Sequence, residues 1–291
     1  MRIQKLFLIF FLSLCLSDIA LAADCVNGKG ENQRPLWDGY TLAIGPVPGD
    51  QVNLCRAAVV AADGKTIFEI TGVDAGMLRA TGRDINGDGK PDVVLLTHAA
   101  TSPQNVYSIV GTADPAGLIR QIVTSAELSF EERIEGHVDI VTHDTAFSDF
   151  EGLGSQAPAP LMFLRLKGKE IYNVSQIYWP EYERDITMAK GNLGKNDVAA
   201  FMGELPNQTQ KDKEQEQSPP EVARRQVVKA TVLQIVLDYI YGGRGQDAWK
   251  AVTEMWPAMD RQRIRQEILR ARMGGVMRDI SRPAAKPATA Q

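Results

Sequence analysis

The chain has 291 residues, a net charge of −4, and 44% hydrophobic against 23% charged residues. That is enough apolar material for a sizeable core, in one large domain or two smaller ones. A mildly acidic chain without a basic stripe argues against nucleic-acid binding.

Residues 1–22 carry the three parts of a secretory signal: Arg2 and Lys5, the apolar run from Leu6 to Leu16, and the small-residue cleavage pattern Ala20-Leu21-Ala22. As a helix the run would span only about 16 Å of a roughly 30 Å hydrocarbon core, so it reads as an export signal and not a membrane span. No later stretch is apolar enough to cross a bilayer, and the expectation is a soluble mature protein, periplasmic or secreted. Leu14 and Asp24, which precede Cys15 and Cys25, are not the small apolar residues that lipid attachment needs. Cys15 leaves with the signal, so Cys25 and Cys55 are expected to pair in an oxidising compartment. A zinc pair would need a Cys-x-x-Cys spacing or nearby histidines, and neither is present.

Residues 23–205 predict an antiparallel β domain, built from short Val-, Ile- and Thr-rich runs punctuated by Gly, Asp, Asn and Pro. Ala57–Ala61 and Thr66–Thr71 flank Asp63-Gly64, a strong hairpin signal. Leu161–Leu166 and Glu170–Gln176 flank Lys167-Gly168-Lys169 as a second hairpin. Between them lie Met77–Thr81, Asp92–His98, Val106–Val110, Ile119–Ser125 and Val138–Thr145 as further strands.

The stretch Asp84-Ile85-Asn86-Gly87-Asp88-Gly89-Lys90-Pro91-Asp92 places oxygen-bearing groups at alternate positions. Asp84, Asn86, Asp88, the Lys90 carbonyl and Asp92 fall at positions one, three, five, seven and nine of a calcium loop, with Gly89 at the turn. An EF-hand would need a bidentate Glu at position twelve, where this chain has Leu95 inside a β run. Pro91 also favours the start of a strand over a helix. The loop is therefore expected to join two strands and to hold Ca2+ structurally, because such a site surrounds the ion with protein oxygens and presents no nucleophile.

Residues 84–95 resemble the calcium loop of FG-GAP or VCBS-type repeats, found in integrin-like β-propellers and many secreted bacterial proteins. The resemblance is confined to the loop and the strand after it. More loosely, Asp144-Thr145-Ala146-Phe147, Ala157-Pro158-Ala159-Pro160, Ala248-Trp249 and Trp256-Pro257 are similar to a group of uncharacterised secreted bacterial proteins carrying such repeats, which implies no activity. A fainter echo of the loop, Glu131 to Val141, has Arg133 where Asn86 stands in the first copy. A guanidinium cannot coordinate a cation, so this second segment is expected to be metal-free, with Arg133 balancing Glu131, Glu135 and Asp139. Two copies at a period of roughly fifty residues suit propeller-blade-like hairpin repeats without establishing a closed propeller.

Composition shifts at Pro206. Residues 206–220 are polar and predict a linker. Ser218, Pro219 and Glu221 form a capping box for a helical unit over 221–275. The first helix is expected to run from that cap, with Val228, Val232, Ile235, Val236, Tyr239 and Ile240 on its apolar face, until Gly242-Gly243 stops it; others are expected from Gln246 to Trp256 and from Asp260 to Met273, followed by a disordered tail over 276–291.

Other candidates are weaker. His98, His137 and His143 with Asp139 and Asp144 match no zinc spacing. Glu181, Glu183 and Asp185 beside Trp179 and Tyr182 read as an exposed acidic turn, although they suggest a carboxylate pair on an aromatic platform. No residue is assigned a catalytic or cofactor-binding role, since nucleophile, metalloprotease, phosphate-loop and dinucleotide motifs are absent from the sequence. The reading is an α+β protein, secreted or periplasmic, that binds calcium and serves as a binding or structural module for a protein or envelope component. The alternative is a cell-envelope or carbohydrate hydrolase with an unidentified site.

Overall fold

Three antiparallel sheets follow one another along the chain in the computed structural model, which describes residues 23–49, 53–99, 104–203 and 219–281. The signal over 1–22, most of the linker with Ser218, and the tail beyond 281 lie outside the described residues. The first strand, β1 (Cys25–Val26), joins a sheet completed later in the chain. Strands β2 (Asn32–Pro35), β3 (Thr41–Pro46), β4 (Cys55–Val60) and β5 (Thr66–Gly72) form an N-terminal meander. Then β6 (Asp74–Met77), β7 (Asp92–His98), β8 (Asn105–Gly111) and β9 (Gly117–Thr124) make the central sheet with β1 at its edge. The third sheet is β10 (Ser129–Ile134), β11 (His137–His143), β12 (Leu161–Lys167) and β13 (Glu170–Asn173). No closed barrel or propeller forms from them. The class is α+β, as a run of strands followed by helices predicts.

Local chemistry accounts for the turns. Between β4 and β5, Gly64 takes a φ of +84°. The Asp63 carboxylate accepts from the Lys65 amide at 2.9 Å, closing the turn through a side chain. The bridge Cys25–Cys55, with Cα atoms 5.8 Å apart, ties the edge of the central sheet to β4. Both cysteines are fully buried.

The apolar run Val93-Val94-Leu95-Leu96 lies on a strand covered on both faces, the situation that produces continuous rather than alternating hydrophobicity. Val93 and Leu95 join the core around Cys25, Leu42, Ile44 and Cys55. Val94 faces a larger core that contains Ile109, Ile122, Ile140 and Phe163. The central sheet is thus a partition between two cores.

Helices begin earlier than the sequence pattern places them. Residues 179–202, expected inside the β domain, fold as α1 (Trp179–Asn192) and α2 (Lys195–Met202). Pro180 sits in the first turn of α1, where its missing amide hydrogen is not needed. Glu181, Glu183 and Asp185, expected in an acidic turn, lie on α1. Beyond them come α3 (Pro219–Tyr241), α4 (Gly245–Met255), α5 (Arg261–Arg272) and α6 (Gly275–Ser281). The helices are not a separate body. Val232, Leu233, Val236 and Trp256 share one core with Met162, Phe163 and Leu164 of β12. Tyr241 on α3 donates to the buried Asp144 at 2.5 Å, and Asp144 also accepts from the Val276 amide at 3.1 Å. Among the described residues no helix is long and apolar enough to cross a membrane.

Candidate metal loop and neighbouring cavity

The loop over 84–92 is the end of the long connection between the antiparallel neighbours β6 and β7. Burial along its length sets its shape, with Ile85 and Asn86 both buried before an exposed tip. Ile85 turns inward and is 2% exposed, packing in the larger core, while Gly87, Asp88, Gly89 and Lys90 face solvent. Gly87 and Gly89 take φ values of +78° and +83°, which side-chain-bearing residues rarely adopt.

The acids organise the loop backbone. Asp84 Oδ1 accepts from the amides of Gly87 at 2.7 Å and Asp88 at 3.1 Å, and its Oδ2 accepts from Gly89 at 2.8 Å. Asn86 donates from Nδ2 to Asp88 Oδ2 at 2.9 Å, and its Oδ1 accepts from the Asp88 amide at 2.9 Å. Asp88 Oδ1 takes the Lys90 amide at 2.8 Å. Asp92 Oδ2 accepts from Ile85 at 2.8 Å and Asn86 at 3.2 Å, closing the loop across its base.

Asp92 is the anomalous member. Its side chain is fully buried at the first position of β7, and its Oδ1 has no hydrogen-bond partner. Burial pushes its carboxyl up to about 7, against the two backbone amides that favour the charged form, and Asp88 and Asp84 raise it further. A buried carboxylate oxygen without a donor costs on the order of 1–3 kcal/mol or more. The donor set of three carboxylates and an amide oxygen is hard oxygen chemistry, suited to Ca2+. In the arrangement shown, the carboxylates are turned to the loop's own amides. Among the described residues no three His, Cys, Asp or Glu side chains gather around a common point at metal-binding spacing.

Residues far along the chain also hold the loop. The Gly168 amide, in the β12–β13 turn, donates to the Asn86 carbonyl at 2.9 Å. Thr81 receives the Val94 amide on its hydroxyl at 3.0 Å, and Thr112 donates to the Pro91 carbonyl at 2.9 Å. Only Thr81 is near enough in sequence to have been suspected. Gly168 was visible as a turn residue, but nothing local shows that its amide points at a loop eighty residues earlier.

The second segment is not a loop of the same kind. Glu131, Glu132 and Arg133 lie in β10, and Gly136 makes the turn into β11. Arg133 pairs with Glu131 at 2.7 Å, as its position suggests, but its other partner is Glu181 on α1 at 2.5 Å. Asp139, fully buried, is held instead by Arg165 at 2.7 and 3.0 Å and by the Tyr178 hydroxyl. Its charge is answered by a cross-strand guanidinium, which Asp92 lacks.

The histidine set does not assemble into a site. His98 Nδ1 lies 2.6 Å from Asp74, and Asp139 and Asp144 are engaged as described. Trp179 is no sugar platform, being stacked on Tyr239 at 5.9 Å with the Arg244 guanidinium 4.9 Å from its centroid.

A cavity of about 410 Å³ opens where the ends of β7 and β8 meet the approach to β10. It has one carboxylate, Glu127, so the facing pair that a two-carboxylate hydrolase needs is missing there. Compared with known protein families, curated proteins and solved structures, the chain matches none. The likeness to FG-GAP and VCBS-type loops therefore stands on the loop residues alone.

Proposed function

We propose that the chain is a secreted or periplasmic calcium-binding protein whose ion is structural, and that the protein acts as a binding or structural module. Asp84, Asn86, Asp88, the Lys90 carbonyl and Asp92 would hold the ion. The observation that carries this reading is the buried, unpartnered Oδ1 of Asp92, which a cation would satisfy while reversing the penalty on its charge. Calcium supplies charge neutralisation and coordination. The chain's residues shape the loop, exclude water from its base through Ile85, and join the β6–β7 connection to the β12–β13 turn through Gly168. Export is supported by the charged, apolar and small-residue order of 1–22 and by the Cys25–Cys55 bridge.

Extracellular calcium modules often bind at about 10⁻⁴ to 10⁻³ M, so calcium at ten times Kd adds about 1.4 kcal/mol. Thermal unfolding of chelator-treated protein titrated with calcium tests the reading. The melting temperature should rise with calcium in the native protein and stay flat in Asp88→Ala. No rise up to about 10 mM calcium, or the same rise in the variant, overturns it.

A further inference from the structure

We infer that the cavity at the ends of β7 and β8 is a binding site for a small zwitterion with an apolar side chain, of the amino-acid or dipeptide class. Its volume of about 410 Å³ lies in the range of small-molecule sites. The inference does not depend on the loop holding an ion.

The lining divides by chemistry. Half-buried Leu78 and Leu96 supply apolar wall, which an aliphatic side chain can cover, over the buried Leu128 and Phe130. Two opposite charges, Arg79 and Glu127, also line it. Both are exposed, and among the described residues neither has an ion pair or a side-chain hydrogen bond. A guanidinium is built to take a carboxylate by two parallel hydrogen bonds, and a carboxylate is the natural acceptor for an ammonium.

His98 is a fixed part of the wall. Its Nδ1 is held by both Asp74 oxygens, at 2.6 and 2.8 Å. Asp74 does not line the cavity, whereas His98 does.

Competing ligands fit less well. Tyr107 and Phe130 are only 2% and 3% exposed, so they offer no open aromatic face for a sugar ring to stack on. A phosphate or polyanion would meet Glu127 as well as Arg79. A purely apolar ligand would make no use of either charge.

Calorimetric titration of the full mature protein tests the assignment, using leucine and leucyl-leucine, each also as its N-acetyl and C-amide derivative. At least one zwitterion should bind, with each capped derivative weakened about tenfold or more, the scale of a lost charge-assisted hydrogen bond. Arg79→Gln should abolish the preference for a free carboxylate, and Glu127→Gln the preference for a free ammonium. Both positions are exposed, so folding is not at stake. Failure of both zwitterions to bind at millimolar concentration, equal binding of the capped forms, or preferences unchanged in both variants overturns the inference.

Discussion

Asp238, on the inner face of α3, gives the protein a pH dependence that one substitution should remove. The residue is 3% exposed; Gln234 donates to its Oδ1 at 2.7 Å, and its Oδ2 has no partner. Burial pushes its carboxyl from an ordinary 3.8 to about 7; the Gln234 hydrogen bond opposes this, and Asp185 on α1 adds to it. The folded state therefore keeps a proton between about 4 and 7 that the unfolded chain releases. Stability must fall as pH rises through that window and level off above it. At 1.36 kcal/mol per pH unit the full window corresponds to about 4 kcal/mol, an upper value for a buried group. Asp238→Asn keeps the acceptor for Gln234 and removes the titration. Denaturant unfolding of both proteins from pH 4 to 8, with chelator present, isolates the effect, because other titrating groups cancel in the difference. The variant should match the native protein near pH 4 and exceed it by up to about 4 kcal/mol at pH 8. A difference independent of pH would refute the reasoning.

Three further outcomes follow from contacts elsewhere. Replacing Cys25 and Cys55 by Ala opens a loop of 30 residues' separation, and the chain-entropy model puts the loss at about 3.6 kcal/mol, readable by urea unfolding. Arg165→Ala leaves Asp139 fully buried with only the Tyr178 hydroxyl, and should cost about 3–5 kcal/mol. The double change Arg165→Met with Asp139→Asn should cost less than the single one in the same assay. Glu151 is raised by burial, but Arg263, Glu267 and Lys229 together bring it down to about 2. Its contribution is present above about 4.5 and lost as pH falls towards 2, so Arg263→Ala should flatten acid unfolding followed by circular dichroism in that interval.

Legibility in the sequence tracked the range of the interactions. The Asp63-Gly64 hairpin, the span of β7 and the Cys25–Cys55 pairing were readable, because turn chemistry and a lone cysteine pair are nearly local facts. The start of the helices at Trp179 was not. Only Tyr182 and Ile186 of α1 are buried, so its apolar repeat is too sparse to stand out after a β-rich stretch. The equivalence drawn between Asp92 and Asp139 was half informative. Both are buried acids on a strand, but whether an acid has Arg165 across the sheet depends on pairing between β11 and β12, which no local pattern encodes. The cavity escaped for the same reason: Arg79, His98 and Glu127 come together only through the sheet.

The position of Asp92 is the strongest argument that the loop is more than a turn. Its backbone duty, accepting the amides of Ile85 and Asn86, could be done by the oxygen of an asparagine without desolvating a charge. The same strand is buried on both faces immediately afterwards, so there is no solvent for the acid to reach. No arginine answers it, in contrast to Asp139, and Asp84 and Asp88 nearby make its ionisation harder. Apart from the two amides that donate to Oδ2, its surroundings disfavour a carboxylate at this place. An added positive charge held by the same oxygens would convert those repulsions into attractions, which is the physical reason for proposing a cation at the loop and not a polar turn alone.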